Sequence, residues 1–209
     1  MHEKTAKRKE YGRVAGWIAR TLLRLLGWQL KGDAPTRSKL VVIGAPHTSN
    51  WDLPFMLLAS LAFRTPGVFM VKDSVFWWPA GPIMRWVGGI PVNRRQRASA
   101  VQQMAQAFEQ SEILRLVITP EGTRRKVRQW KTGFYWIAHS AGVPILPGYI
   151  DFKRKEMGVG PYMTTTGDFE ADFAKIQAFY QEKAGVTPQC KPREERVPAD
   201  EGLRREPLP

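Results

Sequence analysis

The fold is decided by residues 40–52, which read LVVIGAPHTSNWD. Their first half is a short apolar run rich in β-branched residues that ends at Pro46, a pattern typical of a strand buried on both faces. Their second half contains helix-capping residues, and the apolar residues that follow predict a helix over 51–63, with Pro54 tolerated in its first turn. A buried strand followed closely by a helix indicates an α/β unit.

The same alternation continues along the chain. Further apolar runs predict strands at 68–71, 89–92, 114–119 and 143–150, and helical spacing predicts helices at 98–110, 132–140 and 169–184, the last capped by Asp168. Strands that alternate with helices favour a single α/β layered domain with a mostly parallel central sheet flanked by helices. Because ligand sites in such sheets lie at the carboxyl ends of strands, we expect the functional residues there.

The two ends of the chain differ from this domain, which we place at residues 38–184. Residues 1–37 are basic, and arginines among the apolar residues from Val14 to Leu30 recur at helical spacing, which predicts an amphipathic helix. This stretch is too short and too charged to span a bilayer comfortably, so we expect it to lie at a membrane surface or, alternatively, to pack on the domain with solvated arginines. Residues 185–209 lack apolar periodicity and predict a disordered tail.

Composition limits the class of function. The formal net charge of +13 predicts a polyanionic partner, which could be nucleic acid, an anionic bilayer or substrate phosphate groups. Cys190 is the only cysteine, which excludes an internal disulfide and fits a reducing compartment. We therefore expect the protein on the cytoplasmic side. The basic first residues also predict no cleavable signal peptide. No metal site is expected, because His139 in its helical run is a structural candidate and His2 lies in the terminal segment.

His47 and Asp52 are candidates for a catalytic acid–base pair. A histidine that acts as a base needs its ring held in one tautomer, which a carboxylate bound to the other ring nitrogen provides. On a regular helix residues five apart point away from each other, so the pair requires a turn between them. The alternative is a loop histidine and an acid that stabilises the first turn of a helix.

A second group of polar residues, Thr119 to Arg124, also follows a predicted buried strand and reads TPEGTR. Backbone N–H groups around Gly122 and the guanidinium of Arg124 would form a phosphate pocket. The alternative is an ordinary turn with a solvent-facing arginine.

Two more blocks, GGIPVNR at 88–94 and VPILP at 143–147, complete an ordered set. Together the four blocks resemble those of the glycerolipid acyltransferase family, the relatives of 1-acylglycerol-3-phosphate acyltransferase. The resemblance covers about residues 38 to 150. Its blocks match at His47 and Asp52, at Gly89 to Arg94, at Pro120 to Arg124 and at Val143 to Pro147, and Lys72 looks like the lysine that precedes the second block.

The resemblance implies an O-acyltransferase of phospholipid synthesis that acts as a peripheral or monotopic protein at the cytoplasmic face of a membrane. It implies a lysophospholipid-like acceptor, and acyl-CoA or acyl carrier protein as co-substrate without a further cofactor. His47 and Asp52 take the catalytic roles. The resemblance also implies six substrate-binding residues: Lys72, Arg94, Glu121, Gly122, Thr123 and Arg124.

Departures from the family pattern leave the acceptor open. The first block reads PHTS where many members read NHQS, and Asn93 stands where an aspartate is common, so the alternative acceptor is a lyso-lipid without phosphate. Asp52 disfavours the related lipid A acyltransferases, which usually carry glutamate there. A basic nucleic-acid-binding protein explains the charge but not the four blocks, so no nucleic acid partner is expected. A lipid-binding scaffold without catalysis is opposed by the intact His47 and Asp52.

The aromatic residues from Phe76 to Trp78, together with Trp86, have no assigned role in the blocks. They predict an aromatic lip at a bilayer, an acyl-chain channel or ordinary core packing.

Overall fold

The computed structural model describes residues 10–46, 49, 51–92, 97–122 and 129–190, with only the backbone described at 72, 86, 87 and 97–99. Its helices are α1 Arg13–Leu25, α2 Asp52–Ala62, α3 Ala80–Val87, α4 Arg97–Gln110, α5 Gly133–Ala141 and α6 Phe169–Ala184. Its strands are β1 Gln29–Lys31, β2 Lys39–Gly44, β3 Val68–Lys72, β4 Gly89–Val92, β5 Leu114–Ile118, β6 Gln129–Trp130, β7 Ile145–Asp151, β8 Glu156–Val159 and β9 Gln189–Cys190.

Seven strands form the central sheet in the order β1-β8-β7-β2-β5-β3-β4. Every neighbouring pair is parallel except β7 and β8, which form an antiparallel hairpin. The strand predicted from the apolar run that ends at Pro46 is β2, and it lies at the centre of the sheet. Its Val41 pairs with Leu116 of β5 on one side and with Ile145 of β7 on the other. The predicted mostly parallel sheet flanked by helices is confirmed.

The helices form two layers. The connections through α2 and α3 lead toward the β4 edge of the sheet, and those through α4 and α5 lead in the opposite direction. Because connections between parallel strands are right-handed, α2 and α3 lie on one face of the sheet and α4 and α5 on the other. Helix α1 packs against α2. Helix α6 packs on β7 and shares a buried cluster with α5. One layer is therefore α1–α3 and the other α4–α6.

Packing differs between the two faces. The face under α4–α6 holds the larger cluster of buried hydrophobic residues, in which Phe108, Phe134, Tyr135 and Tyr180 fill the space against β2, β5 and β7. The face under α1–α3 holds a smaller cluster around Leu23 and leaves a cavity beside it. The sheet therefore has one densely filled side and one side with room for a ligand.

Helix α6 has the ends that its sequence predicts. The Asp168 side chain accepts a hydrogen bond from the N–H of Ala171 at 3.1 Å, and Gly185 ends the helix at φ 63°, a conformation that glycine adopts without strain. Beyond it, Gln189 and Cys190 form β9 and pair with β6, so the disorder predicted from residue 185 is wrong for these two residues. The pairing holds because Trp130 of β6 is buried against Tyr180. Residues 191–209 lie outside the described part.

The amino-terminal segment contains one described helix, α1, within the predicted stretch from Val14 to Leu30. The stretch does not continue as a helix, because Gly27 has φ 77° and residues 29–31 form β1. Gly16 lets α1 approach α2 closely, because a Cβ added there would lie 3.2 Å from the carbonyl oxygen of Leu61 in α2 and 2.8 Å from the Cγ of Arg64 just past it. Among the described residues, no helix combines the length and the apolar character needed to cross a bilayer.

Candidate active site

Asp52 is the described member of the predicted catalytic pair. It is the first residue of α2, and its side chain is only 1% exposed. Its Oδ2 accepts a hydrogen bond from the N–H of Ser49 at 2.8 Å, and the Ser49 Oγ accepts one from the N–H of Trp51 at 3.1 Å. These bonds satisfy N–H groups that a helix start leaves without partners, and they hold the carboxylate in one place.

His47 lies outside the described residues. Pro46 and Ser49, which flank it, belong to the loop between β2 and α2. Helix α2 begins at Asp52 itself, so no helical turn precedes the carboxylate. The hydrogen bond between His47 and Asp52 stays a prediction.

Glu121 and Gly122 are the described substrate-binding candidates of the second block. Both follow the end of β5, and Glu121 is 5% exposed. Gly122 has φ 63°, and its N–H donates to the carbonyl of Thr119 at 3.1 Å. This turn occupies the Gly122 N–H, which corrects the expectation that this N–H is offered to a substrate. Thr123, which keeps that role as a prediction, and Arg124 lie outside the described residues.

The carboxyl ends of four neighbouring strands bring the predicted residues to one edge. β2, β5, β3 and β4 are adjacent and parallel, so their carboxyl ends meet at the same edge of the sheet. Asp52 follows β2, Glu121 follows β5 and Lys72 is the last residue of β3. Arg94 comes two positions after Val92, the last residue of β4, and lies outside the described residues. The described members of both blocks therefore follow adjacent strands.

Tyr180 of α6 reaches the same edge, and sequence reasoning did not find it. Its hydroxyl donates to the carbonyl oxygens of Ile43 at 3.2 Å and Gly148 at 3.0 Å, which belong to β2 and β7. Burial raises the pKa of Tyr180 well above its ordinary value, and the nearby charge of Glu121 raises it further. The neutral hydroxyl therefore ties α6 to the strand that leads to His47. A tyrosine on a helix carries no sequence signal for this contact.

A cavity of about 120 Å³ lies between α2 and the sheet. It begins at Pro46 and Asp52, at the carboxyl edge, and Arg115 lines it toward the amino end of β5. Its walls between these points are mostly apolar and include Val42, Met56, Val117 and Leu146. Because a charged residue lines each end, Asp52 at one and Arg115 at the other, only the middle of the cavity suits a segment of hydrocarbon chain.

His139 takes the structural role expected of it. A ring nitrogen lies 3.2 Å from the Thr165 Oγ1, and the ring stacks on Tyr135 with centroids 6.0 Å apart. Within the described ranges, no three His, Cys, Asp or Glu side chains are grouped closely enough to hold a metal ion.

Comparison with known proteins agrees with this architecture. The acyltransferase family model matches residues 29–151, which is more than half of the chain. The 1-acyl-sn-glycerol-3-phosphate acyltransferase of Haemophilus influenzae is 34% identical over 146 residues, covering 65% of this chain and 59% of the relative. The protein of the same name from Salmonella typhimurium is 30% identical over 143 residues, covering 66% of this chain and 57% of the relative. The chain thus spans about three fifths of the length of these relatives.

A solved structure shares the fold. The crystal structure of the 1-acyl-sn-glycerophosphate acyltransferase from Thermotoga maritima superposes with a TM-score of 0.59 at 18% sequence identity, covering 81% of this chain and 77% of that one. Its identity is too low to carry more than the fold. The family model, by contrast, spans the four blocks and the strands from β1 to β7. The chain therefore belongs to the acyltransferase family.

Proposed function

We propose that this protein transfers a fatty acyl group from a thioester donor, acyl-CoA or acyl carrier protein, to the free hydroxyl of a lysophosphatidate-like acceptor in phospholipid synthesis. The observation that carries the proposal is that Asp52 and Glu121, each buried and each in a family block, follow adjacent parallel strands at one edge of the sheet. The names of the related acyltransferases support the lysophosphatidate acceptor.

In this mechanism Asp52 orients His47, which removes the proton from the acceptor hydroxyl as the oxygen attacks the thioester carbonyl. The tetrahedral intermediate collapses, the C–S bond breaks, and the thiolate takes the proton from the His47 imidazolium. The products are an ester and a thiol. No acyl-enzyme is required, because the nucleophile belongs to the acceptor.

The remaining block residues hold the substrates. Arg94 and Arg124, assisted by Lys72, bind the acceptor phosphate, since the guanidinium fork matches phosphate oxygens. Glu121 binds a glycerol hydroxyl, and the N–H of Thr123 faces the acceptor or the developing oxyanion. Part of the donor's acyl chain occupies the apolar middle of the cavity under α2, and Asp52 in the wall of this cavity places the thioester near the base.

We also propose that the protein binds as a peripheral or monotopic protein to the cytoplasmic face of a membrane. All but two of the exposed large hydrophobic side chains in the described part belong to α1–α3 or to residues beside these helices. Leu25 is 80% exposed, Trp77 64% and Trp78 83%. The two aromatic residues are therefore not core residues, which favours the aromatic lip among their predicted roles. Such a surface is typical of interfacial helices.

The experiment that tests the acyl transfer compares labelled acyl-CoA and acyl carrier protein as donors against a panel of acceptors: lysophosphatidate, other lysophospholipids, glycerol 3-phosphate and a lyso-lipid without phosphate. His47→Ala removes the base, and His139→Ala is the matched control because this exposed histidine lies outside the site. We expect product from the wild type and from the control, and a loss of kcat of at least about 100-fold in His47→Ala.

Each outcome has a definite consequence. Turnover by His47→Ala at the wild-type rate would end this mechanism. Transfer only to the lyso-lipid without phosphate would replace the proposed acceptor class. Absence of transfer from folded wild-type protein, combined with salt-dependent submicromolar binding to DNA or RNA, would favour the nucleic-acid-binding alternative.

A further inference from the structure

Lys131 lies outside the four family blocks in sequence, but in the structure it contacts the Pro120–Arg124 block. After Trp130, which is buried in β6, the N–H of Lys131 donates to the carbonyl of Pro120 at 2.9 Å. This bond fixes the Lys131 backbone to the residue that begins the block. The position of Lys131 beside the block therefore rests on described residues alone.

The Lys131 side chain lies directly over Gly122. A Cβ added at Gly122 would be 2.5 Å from the Lys131 Nζ, closer than real Cβ contacts, and 3.0 Å from its Cε. Lys131 thus occupies the space that any side chain at position 122 would need. A side chain at position 122 would displace the flexible end of Lys131, and Gly122 also suits the left-handed turn at φ 63°.

The ammonium group is available to an anion from solution. Lys131 is exposed, and within the described ranges its Nζ forms no ion pair. The sequence from Gly122 to Ile150 contains no Asp or Glu, and Glu121, the acid next to this stretch, is buried. An ammonium with three donors and no carboxylate partner beside a substrate-binding block suits phosphate oxygens.

We propose that Lys131 is a further substrate-binding residue that holds a phosphate group at the carboxyl edge of β5. The proposal rests on the proposed acyltransferase function for the identity of the ligand. The phosphate has two sources in this reaction, the acceptor headgroup and the phosphates of coenzyme A. Lys131 lies beside Gly122, and Gly122 belongs to the block assigned to the acceptor. The acceptor headgroup is therefore the expected source of the phosphate.

Lys131→Met tests this, because methionine keeps most of the aliphatic stem that packs over Gly122 and removes only the charge. Lys131→Arg keeps the charge. Lys153→Met is the matched control, since Lys153 is an exposed lysine just past the carboxyl end of β7 whose loss changes the net charge equally. KM and kcat are measured for lysophosphatidate and for acyl-CoA, with thermal unfolding of each variant as a check of the fold.

We expect Lys131→Met to raise KM for lysophosphatidate about tenfold and to leave kcat within about threefold of the wild type. A change of about tenfold is at the lower end of the effect of losing a hydrogen bond to a charged group, because the Lys131 site is exposed. Lys131→Arg should recover most of the loss, and Lys153→Met should match the wild type. A rise of KM for acyl-CoA alone would support a phosphate role and assign it to the donor. Unchanged KM values for both substrates would overturn the proposal.

Direct binding separates this proposal from the acyltransferase reaction itself. Binding of glycerol 3-phosphate is measured by calorimetry to wild type, Lys131→Met and Lys153→Met, with glycerol as the ligand without phosphate. Weaker binding in Lys131→Met alone supports the phosphate contact even if no acyl transfer is found. Equal binding of glycerol 3-phosphate by all three proteins, or no preference of the wild type for it over glycerol, would reject a contact with the acceptor headgroup whether or not the enzyme is active. Equal binding of coenzyme A by all three proteins as well would reject the phosphate contact altogether.

Discussion

At the scale of single residues, the buried carboxylate of Asp52 makes the sharpest prediction. Asp52→Asn keeps an oxygen that can accept the Ser49 N–H bond but removes the charge that stabilises the His47 imidazolium and fixes its tautomer. We expect kcat to fall on the order of 100-fold or more, with KM for the acceptor little changed. Steady-state kinetics measure the effect.

Asp52→Ala distinguishes the contribution of the Asp52 side chain to stability from its contribution to catalysis. It leaves the partly buried Ser49 N–H without its acceptor, so the free energy of unfolding should fall by about 1 kcal/mol beyond that of Asp52→Asn. Chemical denaturation measures this difference. An Asp52→Asn protein with wild-type kcat would show that the carboxylate serves only the helix start.

The sequence predicts the position of Asp52 and Glu121 because each follows a β-branched run, and buried parallel strands end at a common edge. Contacts across long loops are not encoded in this way. Lys131 meets Gly122 only because the chain returns after the block, and the use of the Gly122 N–H inside its own turn depends on backbone angles that the residue names do not specify.

At the scale of elements, α6 lies outside the family match but is tied to β2, the strand that precedes the candidate catalytic residues. Tyr180→Phe removes the hydroxyl that bridges Ile43 and Gly148, so we expect the free energy of unfolding to fall by about 1–2 kcal/mol. Tyr162→Phe is the control, because its hydroxyl bonds to backbone N–H groups at the surface, where water replaces it. Equal losses in both variants, measured by denaturation, would contradict a special role for the buried bridge.

The central elements follow from sequence periodicity, and the peripheral ones do not. β2, β4 and α6 match their predicted ranges closely, since apolar spacing is strong where both faces or a full stripe are buried. β1 and β8 have three and four residues, too few for a period-2 pattern, and they form only because each pairs with the other and β8 with β7. α3 contains Gly81 and Pro82, which conceal its helical character.

At the scale of the whole molecule, the layer of helices α1–α3 carries both the exposed apolar side chains and a surface without exposed acidic residues. The helices α1, α2 and α3 contain no acidic residue except the buried Asp52, whereas α6 alone carries Glu170, Asp172 and Glu182. Because α6 also carries Lys175 and Lys183, an anionic bilayer attracts the first layer more strongly than the second. Trp51, at the start of α2, and Trp77, just past β3, belong to the first layer and stand beside the carboxyl edge. Binding through this layer would therefore bring the candidate active site close to the lipid surface.

This orientation predicts which substitutions weaken binding to vesicles that contain phosphatidylglycerol. Arg24→Gln on α1 should weaken it about fivefold, because each basic residue near an anionic surface contributes about 1 kcal/mol, whereas Lys183→Gln on α6 changes the net charge equally and should have little effect. Replacing Trp77 and Trp78 together by Ser should also weaken binding, and this loss should persist at high salt, since it removes apolar contact rather than charge. Sedimentation with vesicles at two salt concentrations measures all three variants. Equal weakening by Arg24→Gln and Lys183→Gln would mean that the protein has no preferred face toward the bilayer, and that the proposed approach of the site to the lipid is wrong.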